Sequence, residues 1–441
     1  MRTISSILLA LAAMTFIAAN ATAKQPTVVY PTGIFPTDVQ NVQAAIDQGG
    51  TVLLKATDNV GHPLAFNFGA PAPLLGSGVN IANNVSINGE WVGTTRTTIS
   101  GGDRPVIIFA GGNSISGIKF DGPFKSAILV LGSSGTSITG NEIDNVVPAH
   151  FTGFTLTDGI DVFPSNGRPA SDITGDLIIS GNTFGDLTGN FAIGVQVDSV
   201  QANVTISNNT FQLGQLETDA GFVNSAAIAA LRCHSPVSIS GNVITIGLGI
   251  VFDGIFIEGD ADARYHVFDN TINCQGPWPD GIDVFGQTGG QGPTVSAIIE
   301  RNSITVHNGF FAGIALVGAV NNCTLQGNTV NGDAGAAFVA SFPFPNGDTV
   351  NSNRFLNNDI GSLNASVASI FFDTNTLNNV VRGQCVSVLD LGTGNDVSCP
   401  NTRSQAAAAS AAIAARNQML QRALQFQALV RASVIQNSST P

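Results

Sequence analysis

Between residues 138 and 377 the chain repeats one short step: an apolar residue, two others, asparagine, one other, and a second apolar residue. SITGNEI, LIISGNTF, VTISNNTF, VSISGNVI, HVFDNTI, AIIERNSI, CTLQGNTV, TVNSNRF and FFDTNTL carry it, with Asn141, Asn182, Asn209, Asn242, Asn270, Asn302, Asn328, Asn353 and Asn375 at the fixed position. The spacings, 41, 27, 33, 28, 32, 26, 25 and 22 residues, are too uneven for a solenoid of helix pairs. Each step nevertheless alternates with period two, which is strand periodicity. A solenoid of strands tolerates uneven coils because extra residues bulge from a corner while the strand keeps register.

A second set of strand-like runs is interleaved with the steps: AILVL, DGIDVF, AIGVQV, AIAAL, DGIFIE, DGIDVF, AGIALV and AAFVAS. Two strands and their turns form one coil of a parallel β-helix, and stacked coils bring equivalent residues to about 4.8 Å. Asn141 through Asn375 are therefore expected to form inward-facing ladders in the turns, each amide bonding its neighbours and the turn backbone. The 27 Phe against 2 Tyr fit a dry interior, where rings stack and a phenol would need a partner. The chain is 43% hydrophobic and only 11% charged, which excludes a disordered segment. Its net charge of −13 repels phosphate backbones, so no nucleic-acid partner is expected.

Residues 1–23 read as a signal peptide: Arg2, an apolar run from Ile7 to Ala19, then Ala21-Thr22-Ala23 before a cut. The product is expected to be secreted or periplasmic, with no membrane span, since no later run has the length to cross a bilayer. Export makes a Cys385–Cys399 disulfide the expected pairing around a short Gly/Asn/Asp loop, with Cys233, Cys274 and Cys323 as buried thiols.

Residues 24–50 form the N-terminal segment. Thr37-Asp38-Val39-Gln40 has a capping-box pattern, Val39, Val42, Ala45 and Ile46 form an apolar helical stripe, and Gly49-Gly50 ends it before TVLLKA. A short helix there would cover the open first coil. On these residues the chain resembles the pectin lyase-like superfamily of right-handed parallel β-helix proteins, in which a Val-Gln-Ala-Ala-Ile-Asp helix and a Gly-Gly-Thr-Val strand open the solenoid. The expected fold is all-β: a single right-handed parallel β-helix over 51–400, with a short N-terminal capping helix and a C-terminal α-helical tail. The resemblance implies carbohydrate chemistry in general terms, since the superfamily spans lyases, hydrolases, epimerases, tailspikes and adhesins.

Chemistry on such a solenoid uses outward side chains aligned across neighbouring coils. Asp253, Glu258, Asp260, Asp262, Asp269, Asp280 and Asp283 are seven of the chain's thirty acids. Aligning DGIFIE with DGIDVF sets Asp253 beside Asp280, about 5 Å apart, the spacing of a retaining carboxylate pair. Glu258 and Asp283 fall roughly 8 Å apart, in the inverting range. Asp253, Glu258, Asp280 and Asp283 are the catalytic candidates; Asp161 of the earlier DGIDVF lies about four coils away. No cofactor is required by this chemistry, and calcium is the cation that such carboxylates would admit. A lyase would instead need a basic group, for which Arg232 and Arg264 are the candidates, also as substrate-binding residues. TDGID and PDGID resemble the Asn-Thr-Asp-Gly-Ile motif of polygalacturonases, but the Asp-Asp, Gly-His-Gly and Arg-Ile-Lys elements of that family are missing downstream. The plain alternative for Asp-Gly is a turn, with Gly at positive φ.

Residues 401–441 hold four Arg and no acid and keep high helix propensity from Gln405 to Ala432. An Ala-rich basic helix of this length needs a surface, its own solenoid or a second copy, so self-association through it is expected as one of two outcomes. The function expected is action on polysaccharide, as hydrolase or lyase. The alternative is a non-catalytic carbohydrate-binding, surface-interaction or structural role.

Overall fold

The computed structural model describes residues 25–70, 78–144, 156–164, 172–185, 191–213, 225–247, 252–259, 264–276, 280–286, 294–308, 312–341, 347–360, 362–383 and 387–398. The leader at 1–23, the tail at 401–441, the Cys385–Cys399 pair, Asp260 and Asp262 lie outside these residues.

Alternation of apolar and polar residues folds each coil into short strands, and among the described residues the coils stack in parallel into three long sheets of 14, 11 and 12 strands. One turn of the solenoid shows the plan. Asp176–Ser180 belongs to the first sheet, Thr183–Gly185 to the second and Phe191–Asp198 to the third, and Asn203–Ser207 returns to the first beside Asp176–Ser180. The uneven coil lengths are absorbed both between second- and third-sheet strands, as from Asp144 to Leu156, and between third- and first-sheet strands, as from Val162 to Asp176. The right-handed parallel β-helix expected from the sequence is the fold, and one continuous apolar core runs from Val29 to Val388. Phe184 and Phe211 stack in it with centroids 4.5 Å apart. Tyr265 is buried because its hydroxyl donates to the Glu258 carbonyl at 3.0 Å. Cys233, Cys274 and Cys323 are buried free thiols, as expected. Among the described residues no helix is long and apolar enough to cross a membrane.

The asparagine ladder is real and its course differs from expectation at one end. Each member sits in the turn between first and second sheets, and Asn242 shows the bonding. Its N–H donates to Asn270 Oδ1 at 3.0 Å and its Nδ2 to Ile206 O at 3.0 Å, while its own Oδ1 accepts from Asn209 N at 2.9 Å. The ladder runs Asn141, Asn182, Asn209, Asn242, Asn270, Asn302 and Asn328, then passes to Asn358. Asn353 belongs to a second ladder with Asn379 and Asn395. Asn375 joins neither: its Nδ2 reaches Asp348 O at 3.3 Å and its Oδ1 has no partner. The physical reason is a fourth set of short strands, Thr294–Val295, Val320–Asn321, Val350–Asn351 and Thr376–Leu377. These give the later coils a second corner with the same local pattern.

The helix spans Thr37–Asp47, and Val42, Ala45 and Ile46 are buried in the main core beside Val52 and Leu54. Its capping box does not form: Pro36 is the N-cap, without a side-chain cap bond. Buried Asp38 instead accepts from Thr32 N and Oγ1, both at 2.7 Å, and from Asn67 N at 2.8 Å, tying the helix to the strand Phe66–Asn67. The strand Thr27–Val29 precedes the helix and pairs with Gly50–Leu54, extending the first sheet by one.

Candidate acidic site on the third sheet

The third sheet carries the Asp-Gly-Ile runs, and its strands depart from simple alternation at the glycine. In Phe252–Glu258 the Ile255 and Ile257 side chains enter the core, and a Cβ on Gly254 would also point inward, 2.6 Å from Ile272 Cγ2 and 2.5 Å from Gly281 O. Two successive inward positions shift the strand's phase and leave Asp253, Phe256 and Glu258 on the outer face. Gly281 repeats this, with Ile304 Cγ2 at 2.4 Å. Neither glycine has a positive φ, so the turn explanation for Asp-Gly gives way to one of packing: glycine is needed because the next coil leaves no room for a side chain.

On that outer face Asp253 pairs with Asp280, Phe256 with Asp283 and Glu258 with Phe285. The alignment of DGIFIE with DGIDVF is therefore the register of the sheet. Asp253 and Asp280 are buried, Asp283 is half-buried, and one carboxylate oxygen from each lies within 4.8 Å of the others. Asp280 Oδ1 also accepts the Ala312 N–H of the next coil at 3.0 Å, which fixes that carboxylate's orientation. Three carboxylates are hard oxygen donors of the kind that suits calcium or magnesium, so the donor set fits a divalent cation as well as proton chemistry. Cys274 lies beneath the cluster; burial, then the charges of Asp253 and Asp280, push its thiol up and keep it protonated.

The other sequence candidates are placed elsewhere. Glu258 is buried on the same face but is not one of the clustered acids. Arg232, in a left-handed turn, directs Nε to Asp198 Oδ1 at 3.0 Å and a second nitrogen to Asp198 Oδ2, a bidentate pair outside the triad. Arg264 is exposed at the start of the first-sheet strand Tyr265–Phe268. His266 bonds Glu300 Oε1 on the first sheet at 3.0 Å. Asp269 pairs with Arg301 there.

Sequence reasoning missed how apolar this outer face is. Ile193, Ala226, Ala229, Phe256, Phe285, Ala312, Ala315 and Val339 form a second buried cluster on it. The signal was present in runs such as AIAAL, where both alternating sets are apolar, as in a strand buried on both sides.

The model of a right-handed β-helix region matches residues 126–330. No curated protein matches the chain. Among solved structures, the mannuronan C-5 epimerase AlgE4 A-module of Azotobacter vinelandii is 14% identical, over 83% of this chain and 96% of that one, with a TM-score of 0.39. The Dettilon tailspike protein is 16% identical, over 85% and 69%, with a TM-score of 0.46. The tailspike of Escherichia coli bacteriophage HK620, solved with a pentasaccharide, is 13% identical, over 84% and 69%, with a TM-score of 0.33.

Proposed function

We propose that this chain, a right-handed parallel β-helix protein, acts on polysaccharide as a glycoside hydrolase, with Asp253, Asp280 and Asp283 as its reactive groups. The observation that carries the reading is the gathering of three carboxylates from two consecutive coils within 4.8 Å. Asp253 and Asp280, with oxygens within 4.8 Å, are too close for an inverting pair and are read as a retaining one, in which one carboxyl protonates the leaving oxygen and the other attacks the anomeric carbon. Water then releases the sugar with the configuration retained. Like charges this close repel, so proton uptake by one member relieves the cluster and supplies the acid. Asp283 adds to that repulsion.

Hydrolysis is favoured over elimination because the bases a lyase would use are engaged or remote: Arg232 is held by Asp198 and Arg264 sits on the first sheet. Glu258 is the reserve carboxylate, on the same face but outside the triad. The leader pattern at 1–23 supports export, where polysaccharide would be met. A second reading, binding without turnover, is favoured by the bond that Asp280 makes to the Ala312 N–H, since it gives that carboxylate a structural task. Incubating the mature protein with neutral glycans and polyuronates, with and without calcium, tests the proposal. New reducing ends with retained anomeric configuration support it; unsaturated ends would make it a lyase, and no release from any glycan would leave binding alone.

A further inference from the structure

A second polar cluster stands on the outer face of the same sheet, four coils before Asp280 and Asp283. Register steps from Asp158 to Ile193, Ala226, Asp253 and Asp280, and from Asp161 to Gln196, Ala229, Phe256 and Asp283. Unlike the triad, this cluster is mixed. Asp158 pairs with Ser126 one coil earlier, and Lys125 and Ser126 donate their N–H groups to the Asp103 carbonyl. Arg104 follows Asp103, with a guanidinium nitrogen 3.8 Å from its carboxylate. Asp161 accepts from Gln196 Nε2 at 3.2 Å.

Two atoms in the cluster lack partners. Asp158 is 2% exposed and its Oδ1 makes no hydrogen bond, and neither does the buried Nε of Arg104. A buried acceptor or donor left in this way is unfavourable, because it has given up water without gaining a partner. One orphan of each kind, among charges of both signs, restricts what could complete them. A cation meets Lys125 and Arg104; an anion meets Asp103, Asp158 and Asp161. A neutral hydroxyl meets neither objection, because it donates to Asp158 and accepts from Arg104. Arg104, in the bend before the strand Val106–Ile108, and Asp158 are two coils apart, roughly 10 Å along the axis between their backbones, so a ligand with several hydroxyls suits the site better than one. Lys125, Arg104 and Asp161 are half-buried and leave the cluster open on one side.

We infer that Arg104, Lys125, Asp158 and Asp161 form a binding site for a neutral, polyhydroxylated ligand, a sugar unit, separate from the triad. The electrostatics agree with this. Burial first, then the neighbouring Asp161, hold the Asp158 carboxyl well above the usual range, which weakens its attraction for a cation and leaves an oxygen that can accept from a hydroxyl. Burial and Arg104 push the Lys125 ammonium down. The inference rests on the proposed function only for the choice of probes and not on turnover at the triad.

Calorimetric titration of the mature protein carrying Asp280→Asn separates binding from turnover. The probes are cellohexaose, laminarihexaose, maltohexaose, mannohexaose, a galacturonate hexasaccharide, sodium phosphate and calcium chloride. At least one neutral hexasaccharide binds, and adding Asp158→Ala or Arg104→Gln weakens it tenfold or more. Both substitutions shorten the side chain, and a melting curve on each confirms that the fold persists. Should either fail to fold, the other decides. Equal affinity with and without them, or no neutral hexasaccharide bound, overturns the inference and leaves water on the orphaned atoms. Phosphate or galacturonate binding lost in Arg104→Gln, or calcium binding lost in Asp158→Ala, also overturns it, as an ionic site. A failure of the triad reading appears separately, as wild-type protein without turnover while this binding remains.

Discussion

Asp253 and Asp280 face each other Cα for Cα on adjacent strands of the third sheet, both buried, with Asp283 closing the group from the same strand as Asp280. Few arrangements of like charge are less comfortable, and a divalent cation would relieve it. Calcium is therefore expected to stabilise the fold by mass action, about 2.7 kcal/mol at a hundredfold excess over its dissociation constant. Melting curves with calcium and with a chelator should differ by a few degrees in the wild type and coincide in Asp253→Asn. A calcium shift that survives in the variant would place the ion elsewhere.

The two ladders make a prediction about asparagines that the sequence alone treats as equal. Asn242 is completely buried and bonded through both its N–H groups and its oxygen, whereas Asn375 has one long bond and an oxygen without a partner. Asn242→Ala should cost about 1–3 kcal/mol by orphaning Asn209 N, and Asn375→Ala well under that. Urea unfolding of both variants checks the difference; equal losses would contradict the assignment of Asn375 to neither ladder.

Desolvation raises the Asp161 carboxyl to about 6, the charges of Arg104 and Lys125 and the Gln196 bond only partly opposing it. A carboxyl whose folded pKa is raised binds its proton more tightly in the native state, so its stabilising share is full below about pH 4 and lost as pH rises through about 6. Compared with Asp161→Asn, the wild type should lose about 1–2 kcal/mol between pH 4 and 7, allowing for the solvent at its open edge. Parallel pH profiles for the two proteins would show that Asp161 titrates normally.

Period and repetition carried much of this structure in the sequence. Two Asp-Gly-Ile runs, laid side by side, give the Asp253–Asp280 register, because strands of a solenoid must stack equivalent residues. Features set by contacts between coils were not legible in that way. FLNNDI around Asn358 fits the same asparagine template as TVNSNRF, and only the added corner in the later coils decides which of them continues the ladder. Arg232 adjoins the acidic coils in sequence, yet its turn aims the guanidinium at Asp198. Thr37 and Gln40 have capping chemistry, but Asp38 is drawn instead to Thr32 and Asn67, a tertiary contact. The glycines of Asp-Gly-Ile look like turn residues until the neighbouring coil is seen against them.

The most direct test of the triad as a reactive site is turnover by Asp280→Asn on whichever glycan the wild type cleaves, measured beside its melting temperature. The substitution preserves shape and an acceptor for the Ala312 N–H while removing the carboxylate. The account predicts loss of at least 100-fold in kcat, the order of one acid–base contribution, with melting unchanged within a few degrees. Wild-type turnover in a folded Asp280→Asn protein would contradict it.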